Sequence, residues 1–271
     1  KTDTGEVLSF DKGELFVVMK FIVGLAFNEF LTKGKFSLFE VVGLFREVLH
    51  GVGFAHRHGI AHRDLKPGNI RVETETGRVC VLDLGLAQTK AALNPQPQEE
   101  TLKGSVHGTP GYMSPEQCRG TPTDHRTDIF TLGVILYEML SGTLPFSREG
   151  GFMVYTNRVT RDEPKPLETL NPASYIRGLK VIPQALGVIA RKAMAKKLED
   201  RYAAVEEMEK DLADFESGEG KREQAAKELK RALGIRNLLR QAVNKLRSWR
   251  AEAAALAQNP LQEGVLEEMR S

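Results

Sequence analysis

Between Asp128 and Leu140 the chain reads Asp-Ile-Phe-Thr-Leu-Gly-Val-Ile-Leu-Tyr-Glu-Met-Leu, with apolar side chains on nearly every side of a helix. A helix that is apolar all round offers no face to water, so it must be wrapped by other elements in the core of a larger domain. Pro145 stops it, because proline cannot continue the hydrogen-bond ladder. The segment is too short for a membrane span, which needs about 20 apolar residues, and no other run in the 271 residues approaches that length. Any fold for this chain is therefore built around residues 128–140.

The rest of the chain is long enough for one large domain or two small ones. A hydrophobic fraction of 41% and a charged fraction of 27% are ordinary for a folded globular protein. A net charge of +2 is too balanced to indicate nucleic-acid binding, which concentrates positive charge on one face. Cys80 and Cys118 have no metal-like spacing, which reads as a reduced, cytoplasmic protein. No signal peptide opens the chain, and its first residue is Lys1, so the expectation is a fragment or a processed piece.

Glu6–Phe10 and Leu15–Phe21 read as a β-hairpin about the turn Asp11-Lys12-Gly13, closed by Gly24. A short helical stretch near Asn28–Thr32 follows. Ser37 and Glu40 form a capping-box pattern, which satisfies orphan backbone donors at a helix start. The helix it opens carries Leu38, Val41, Val42, Phe45, Val48, Leu49 and Val52 on one stripe. Beyond Gly59 and a polar loop, Ile70–Val72 and Val79–Leu82 read as two strands joined through Glu73–Gly77. Residues 88–109 show little periodicity, and a loop of that length in a compact domain is usually functional. Helices are predicted near Pro183–Lys197 and Ala203–Glu216. Ser217-Gly-Glu-Gly220 reads as a linker into a basic helix of about forty residues, broken at Pro260. Leu229, Leu239, Val243 and Leu246 follow a near-heptad spacing that Arg236 and Arg250 interrupt, which favours a helix that packs back or binds a partner over a coiled coil. The tail's Lys and Arg residues read as a solvated face.

The chemistry concentrates in His62-Arg-Asp-Leu-Lys-Pro-Gly-Asn69, in a loop between a long helix and a hairpin. Phosphoryl transfer asks the protein for a carboxylate to take a hydroxyl proton, cations on the phosphates and metal ligands. Asp64, Lys66 and Asn69 offer these groups, and Asp83-Leu-Gly85, after a strand, offers a second metal-binding carboxylate. His56 and His58 are read as surface residues.

These segments resemble the protein-kinase superfamily, and more closely the eukaryotic-like, Hanks-type bacterial serine/threonine kinases. The family's H-R-D-L-x-x-x-N, D-F-G and A-P-E motifs are matched by His62–Asn69, Asp83–Gly85 and Ser114-Pro-Glu116, in order. Gly108–Gln117 looks like the substrate-binding end of an activation segment. Asp128–Gly133, Leu144-Pro-Phe146 and Asp200-Arg201-Tyr202 match further landmarks, so the resemblance covers about Thr4 to Phe215. It implies an α+β fold: the α-helical large lobe with a residual β-hairpin of the small lobe (1–216), then a linker and basic helical tail (217–271). It implies transfer of the ATP γ-phosphoryl group, with Mg²⁺, to Ser or Thr of a protein. Asp64 would be the base, Lys66 a phosphate contact and Thr109 an aligning residue. Asn69 and Asp83 would hold Mg²⁺, and Met19, Lys20 and Ile22 would meet adenine. Arg63 would answer a phosphate on Thr101 or Ser105. His62, Asp128 and the pair Glu116–Arg201 would be structural.

The match also departs from the family. A Gly-rich loop, a strand lysine and its glutamate partner precede the hinge in kinases, whereas only eighteen residues precede Met19 and neither Gly5 nor Gly13 belongs to such a loop. The expectation is therefore weak or negligible activity for this chain and a Gly-rich loop encoded upstream. Leu84 stands for the usual Phe, and Lys20 for a common acidic residue. Arg71 occupies a position that is usually apolar, under adenine, where it would have to snorkel or stack. A partner-binding scaffold without activity and a small-molecule phosphotransferase remain the alternatives.

Overall fold

The computed structural model describes residues 21–84 and 108–257. The chain divides into two compact units, Lys1–Ala213 and Asp214–Ser271.

In the first unit a small antiparallel sheet is ordered β1 (Gly24–Ala26), β2 (Ile70–Glu73), β3 (Val79–Val81). Gly24 pairs with Glu73 and Ala26 with Arg71, while Ile70 pairs with Val81 and Val72 with Val79. The alternation along β2 buries Ile70 and Val72 and leaves Arg71 and Glu73 half-buried on the other face. A side chain at Gly24 would put its Cβ 2.2 Å from the Val72 carbonyl oxygen, so only glycine permits this strand approach. The β1 pairing was not predicted; most of the predicted 6–21 hairpin lies outside the described residues.

The helices that follow the sequence pattern do so for visible reasons. α1 spans Phe27–Lys33, and α2 spans Leu38–Arg57. At the start of α2 the Glu40 amide donates to Ser37 Oγ at 3.2 Å and the Ser37 amide donates to Glu40 Oε2 at 2.6 Å. The stripe Val41, Val42, Phe45, Val48, Leu49 and Val52 is fully buried. α3 (Pro115–Arg119) is opened by a second capping box, Ser114 with Gln117, and α5 spans Phe152–Arg161. Neither α3 nor α5 was predicted.

At the centre lies α4 (Arg126–Ser141), whose residues 127–137 are all buried, as an all-apolar helix requires. It packs on α6 (Gln184–Ala193). The crossing is close at Gly133, where a Cβ would lie 2.8 Å from both Ala193 Cβ and Met194 Cγ. α7 runs over Val205–Ala257. Its backbone is helical through Ser217-Gly-Glu-Gly220, where the sequence predicts a linker. The flanking Glu, Lys and Arg residues are strong helix formers and offset the roughly 1 kcal/mol that each glycine costs a helix. The predicted break at Pro260 lies outside the described residues. Among the described residues no helix is long and apolar enough to cross a membrane.

Candidate active site

The loop between α2 and β2 is anchored from below by one carboxylate. Asp128, on the first turn of α4, is completely buried. Its Oδ2 accepts the His62 amide at 2.7 Å and His56 Nε2 at 2.8 Å, and its Oδ1 accepts the Arg63 amide at 2.7 Å. A buried carboxylate needs such donors to offset its desolvation. His56 is not the surface residue that its place near a helix end suggests. Its side chain is 8% exposed, because the last turn of α2 points it at Asp128.

Arg63 sits at φ 64°, in the left-handed region that a bulky residue seldom enters. Besides Asp128, Gln117 holds it there, donating Nε2 to the Arg63 carbonyl at 2.6 Å. Strained backbone held by surrounding bonds clusters at functional sites. Asp83 is the other non-glycine residue with positive φ, at 59°. Neither conformation was predicted.

Above this anchor, Asp64, Lys66 and Thr109 close a triangle. Thr109 Oγ1 donates to Asp64 Oδ1 at 2.7 Å; Lys66 Nζ donates to Asp64 Oδ2 at 2.9 Å and to Thr109 Oγ1 at 2.8 Å. The Asp64 side chain remains 37% exposed, so its carboxylate is fixed in direction yet within reach of an incoming group. Asn69, at the end of a 3-10 turn over Pro67–Asn69, donates Nδ2 to the Asp64 carbonyl at 2.9 Å, a bond that engages its amide nitrogen and not its amide oxygen.

Two bonds tie the Asp83 segment to this loop. The Leu82 amide donates to the Asn69 carbonyl at 2.8 Å, and His62 Nε2 lies 2.8 Å from the Leu82 carbonyl. The antiparallel β2–β3 pair therefore delivers Asp83 beside Asn69. Ile22 is half-buried, two residues before β1. Met19, Lys20, Thr101 and Ser105 lie outside the described residues. Arg71 Nη1 donates to the Gly24 carbonyl at 2.9 Å, bracing β1.

Behind the site, Arg201 forms a fork on Glu116, Nη1 to Oε1 and Nη2 to Oε2, each 2.8 Å, with Thr127 Oγ1 also donating to Oε1 at 2.8 Å. Burial pushes the Glu116 carboxyl up, but the Arg201 hydrogen bonds and charge prevail and hold it below the usual range.

A family model described as protein kinase domain matches residues 7–213. The chain belongs to the protein kinase domain family. Its relatives include the probable serine/threonine-protein kinase PknB of Lactococcus lactis, 34% identical over 213 residues, covering 78% of this chain and 31% of that kinase. Serine/threonine-protein kinase pkn3 of Myxococcus xanthus is 36% identical over 207 residues, covering 74% of this chain and 36% of that protein. PknB of Mycobacterium tuberculosis is 34% identical over 219 residues, covering 80% and 33%. The chain thus spans about a third of the length of these relatives. In kinase terms, the helix-rich first unit with its small antiparallel sheet is mostly large lobe.

Sequence reasoning missed His56 and the half-buried Lys196. The Lys196 ammonium donates to the Val159 carbonyl at 2.9 Å and sits 4.2 Å from the Phe146 ring centre, and burial brings its pKa down to about 8. No local pattern marks either residue, since their partners lie far off in sequence.

Proposed function

We propose that the protein transfers the γ-phosphoryl group of ATP to a Ser or Thr hydroxyl of a protein substrate. The observation that carries this reading is the triangle of Asp64, Lys66 and Thr109 beside Asn69 and Asp83. Asp64 accepts the hydroxyl proton as the oxygen attacks in line. Lys66, already within hydrogen-bond reach of Asp64, meets the charge on the transferring group. Thr109 holds the carboxylate in direction, and positioning of this kind supplies much of the rate. Asn69 and Asp83 form an oxygen-donor pair suited to a hard divalent cation and would hold Mg²⁺. When bound, that ion neutralises charge on the phosphate oxygens.

Gly108–Glu116 packs beside the triangle through Thr109 and favours a peptide over a small molecule. Arg63 would take a phosphate on Thr101 or Ser105: among the described residues its buried Nε has no hydrogen-bond partner. Ile22, with Met19 and Lys20, would meet adenine. The free cysteines Cys80 and Cys118 suit the cytoplasm. The test uses the full-length protein. Radiolabelled ATP should label a protein substrate, and Asp64→Asn should reduce labelling by at least 10²-fold. Labelling unchanged by the substitution would remove Asp64 as the base.

A further inference from the structure

The charge of this chain is unevenly distributed. Residues 227–250 of the tail carry eight Lys or Arg against the single Glu228, a net +7, so with a total of +2 the remainder carries −5. The same stretch exposes large apolar side chains: Ile235, Leu239, Val243, Leu246 and Trp249 are each between 46% and 61% exposed.

At 3.6 residues per turn these five, with Ala242, fall within an arc of roughly 120°. Arg236, Arg240 and Arg247 line one edge of that arc. Lys245 lines the other, with its Nζ 5.1 Å from the centre of the Trp249 ring. The opposite side carries the neutral polar residues Asn237, Gln241, Asn244 and Ser248, with Lys230 at its N-terminal end. Leu238 lies just outside the arc beside Lys245, Leu229 and Leu233 fall beyond it on the arginine side, and Arg250 interrupts it near its C-terminal end.

We propose that this helix lies in the surface of an anionic lipid bilayer, with the stripe of Ile235, Leu239, Val243, Leu246 and Trp249 in the acyl boundary. Cations on both edges extend their heads to lipid phosphates while their stems cover apolar surface. The Trp at the edge of the stripe has an apolar body and a polar N–H, the combination that settles at a membrane interface. The helix is too charged to span the bilayer. A second copy is a poor occupant: pairing along the stripe sets the edge arginines and lysines against their counterparts, with only Glu228 in the stretch to answer them. The inference is independent of the phosphotransfer reading.

Trp249 is the only tryptophan in the chain, so its emission reports this helix alone. The full chain is titrated with vesicles of phosphatidylglycerol and phosphatidylcholine, and with phosphatidylcholine alone. The expected result is a blue shift with the anionic vesicles only, and quenching by lipids brominated on the acyl chains. Leu239→Glu with Leu246→Glu should abolish the shift while circular dichroism shows the helix content retained. Arg236→Gln and Arg247→Gln should each weaken partition about fivefold. Equal shifts on neutral vesicles, or anionic binding without quenching from the acyl chains, would overturn the proposal. So would a shift that grows with protein concentration alone, which indicates a second copy, or one produced by an acidic helical peptide and not by vesicles.

Discussion

Glu116 and Arg201 show how much one residue can be worth when its partner is buried with it. Their side chains are 6% and 0% exposed, and Arg201 also donates to the carbonyls of Ala195 and Arg126. Removing one partner leaves an uncompensated buried charge, so Glu116→Ala should cost about 3–5 kcal/mol in urea unfolding. Replacing both, Glu116→Leu with Arg201→Met, should cost much less; a double variant as unstable as the single would contradict this. The sign with pH follows from the depressed carboxyl. Its contribution is complete above the unfolded pKa of about 4.5 and is lost as pH falls through the lower folded value, so wild type and Glu116→Ala should converge in acid. At this scale the sequence is most informative where chemistry demands a residue type. Asp64, Lys66, Asn69 and Asp83 stand out because phosphoryl transfer needs a base, a cation and oxygen ligands, whereas Thr109 is marked only through the family resemblance. His56 does not, because its partner Asp128 is 72 positions away. The left-handed backbone of Arg63 and Asp83 is equally hidden, since it is imposed by tertiary bonds and not by their own preferences.

At the scale of elements, the α4–α6 crossing sets a tight steric limit. Gly133→Val should lower the urea midpoint, with a cost of about 1–3 kcal/mol from overpacking, at an unchanged slope. A variant as stable as wild type would mean that the helices do not approach as closely as the Gly133 contacts require. α2 and α4 are legible because length and periodicity agree, and the Ser37–Glu40 box marks a helix start without any tertiary information. The Ser114–Gln117 box carries the same signature, but the helix it opens is only five residues long and too short to show a period. α5 is obscured for a related reason: only Tyr155 and Val159 are buried along its ten residues. In the tail, the glycines of 217–220 carry a turn signal that the helix formers around them outweigh.

Over the whole molecule, the five tyrosines behave as a set. Tyr112, Tyr137, Tyr155, Tyr175 and Tyr202 all have phenols pushed up by burial, that of Tyr137 to about 12. The unfolded chain then releases these protons first, so stability should fall as pH rises above about 10. Lys196 acts in the opposite sense between pH 8 and about 10.5, because its buried ammonium is easier to deprotonate in the folded state. Ultraviolet titration should show the phenols ionising together as the protein unfolds, and several titrating reversibly near pH 10 in the folded state would contradict their burial. The family and the large-lobe architecture are legible at this scale, since several motifs share one register around an all-apolar helix. The account rests most heavily on Asp64 and Asp83 serving one nucleotide. A crystal structure of the full-length protein with Mg²⁺ and a non-hydrolysable ATP analogue tests that directly. It should place the metal about 2.0–2.1 Å from oxygens of Asn69 and Asp83, with the Asp64 carboxylate facing the γ-phosphate. A metal bound elsewhere, or Asp64 turned toward a different pocket, would contradict it.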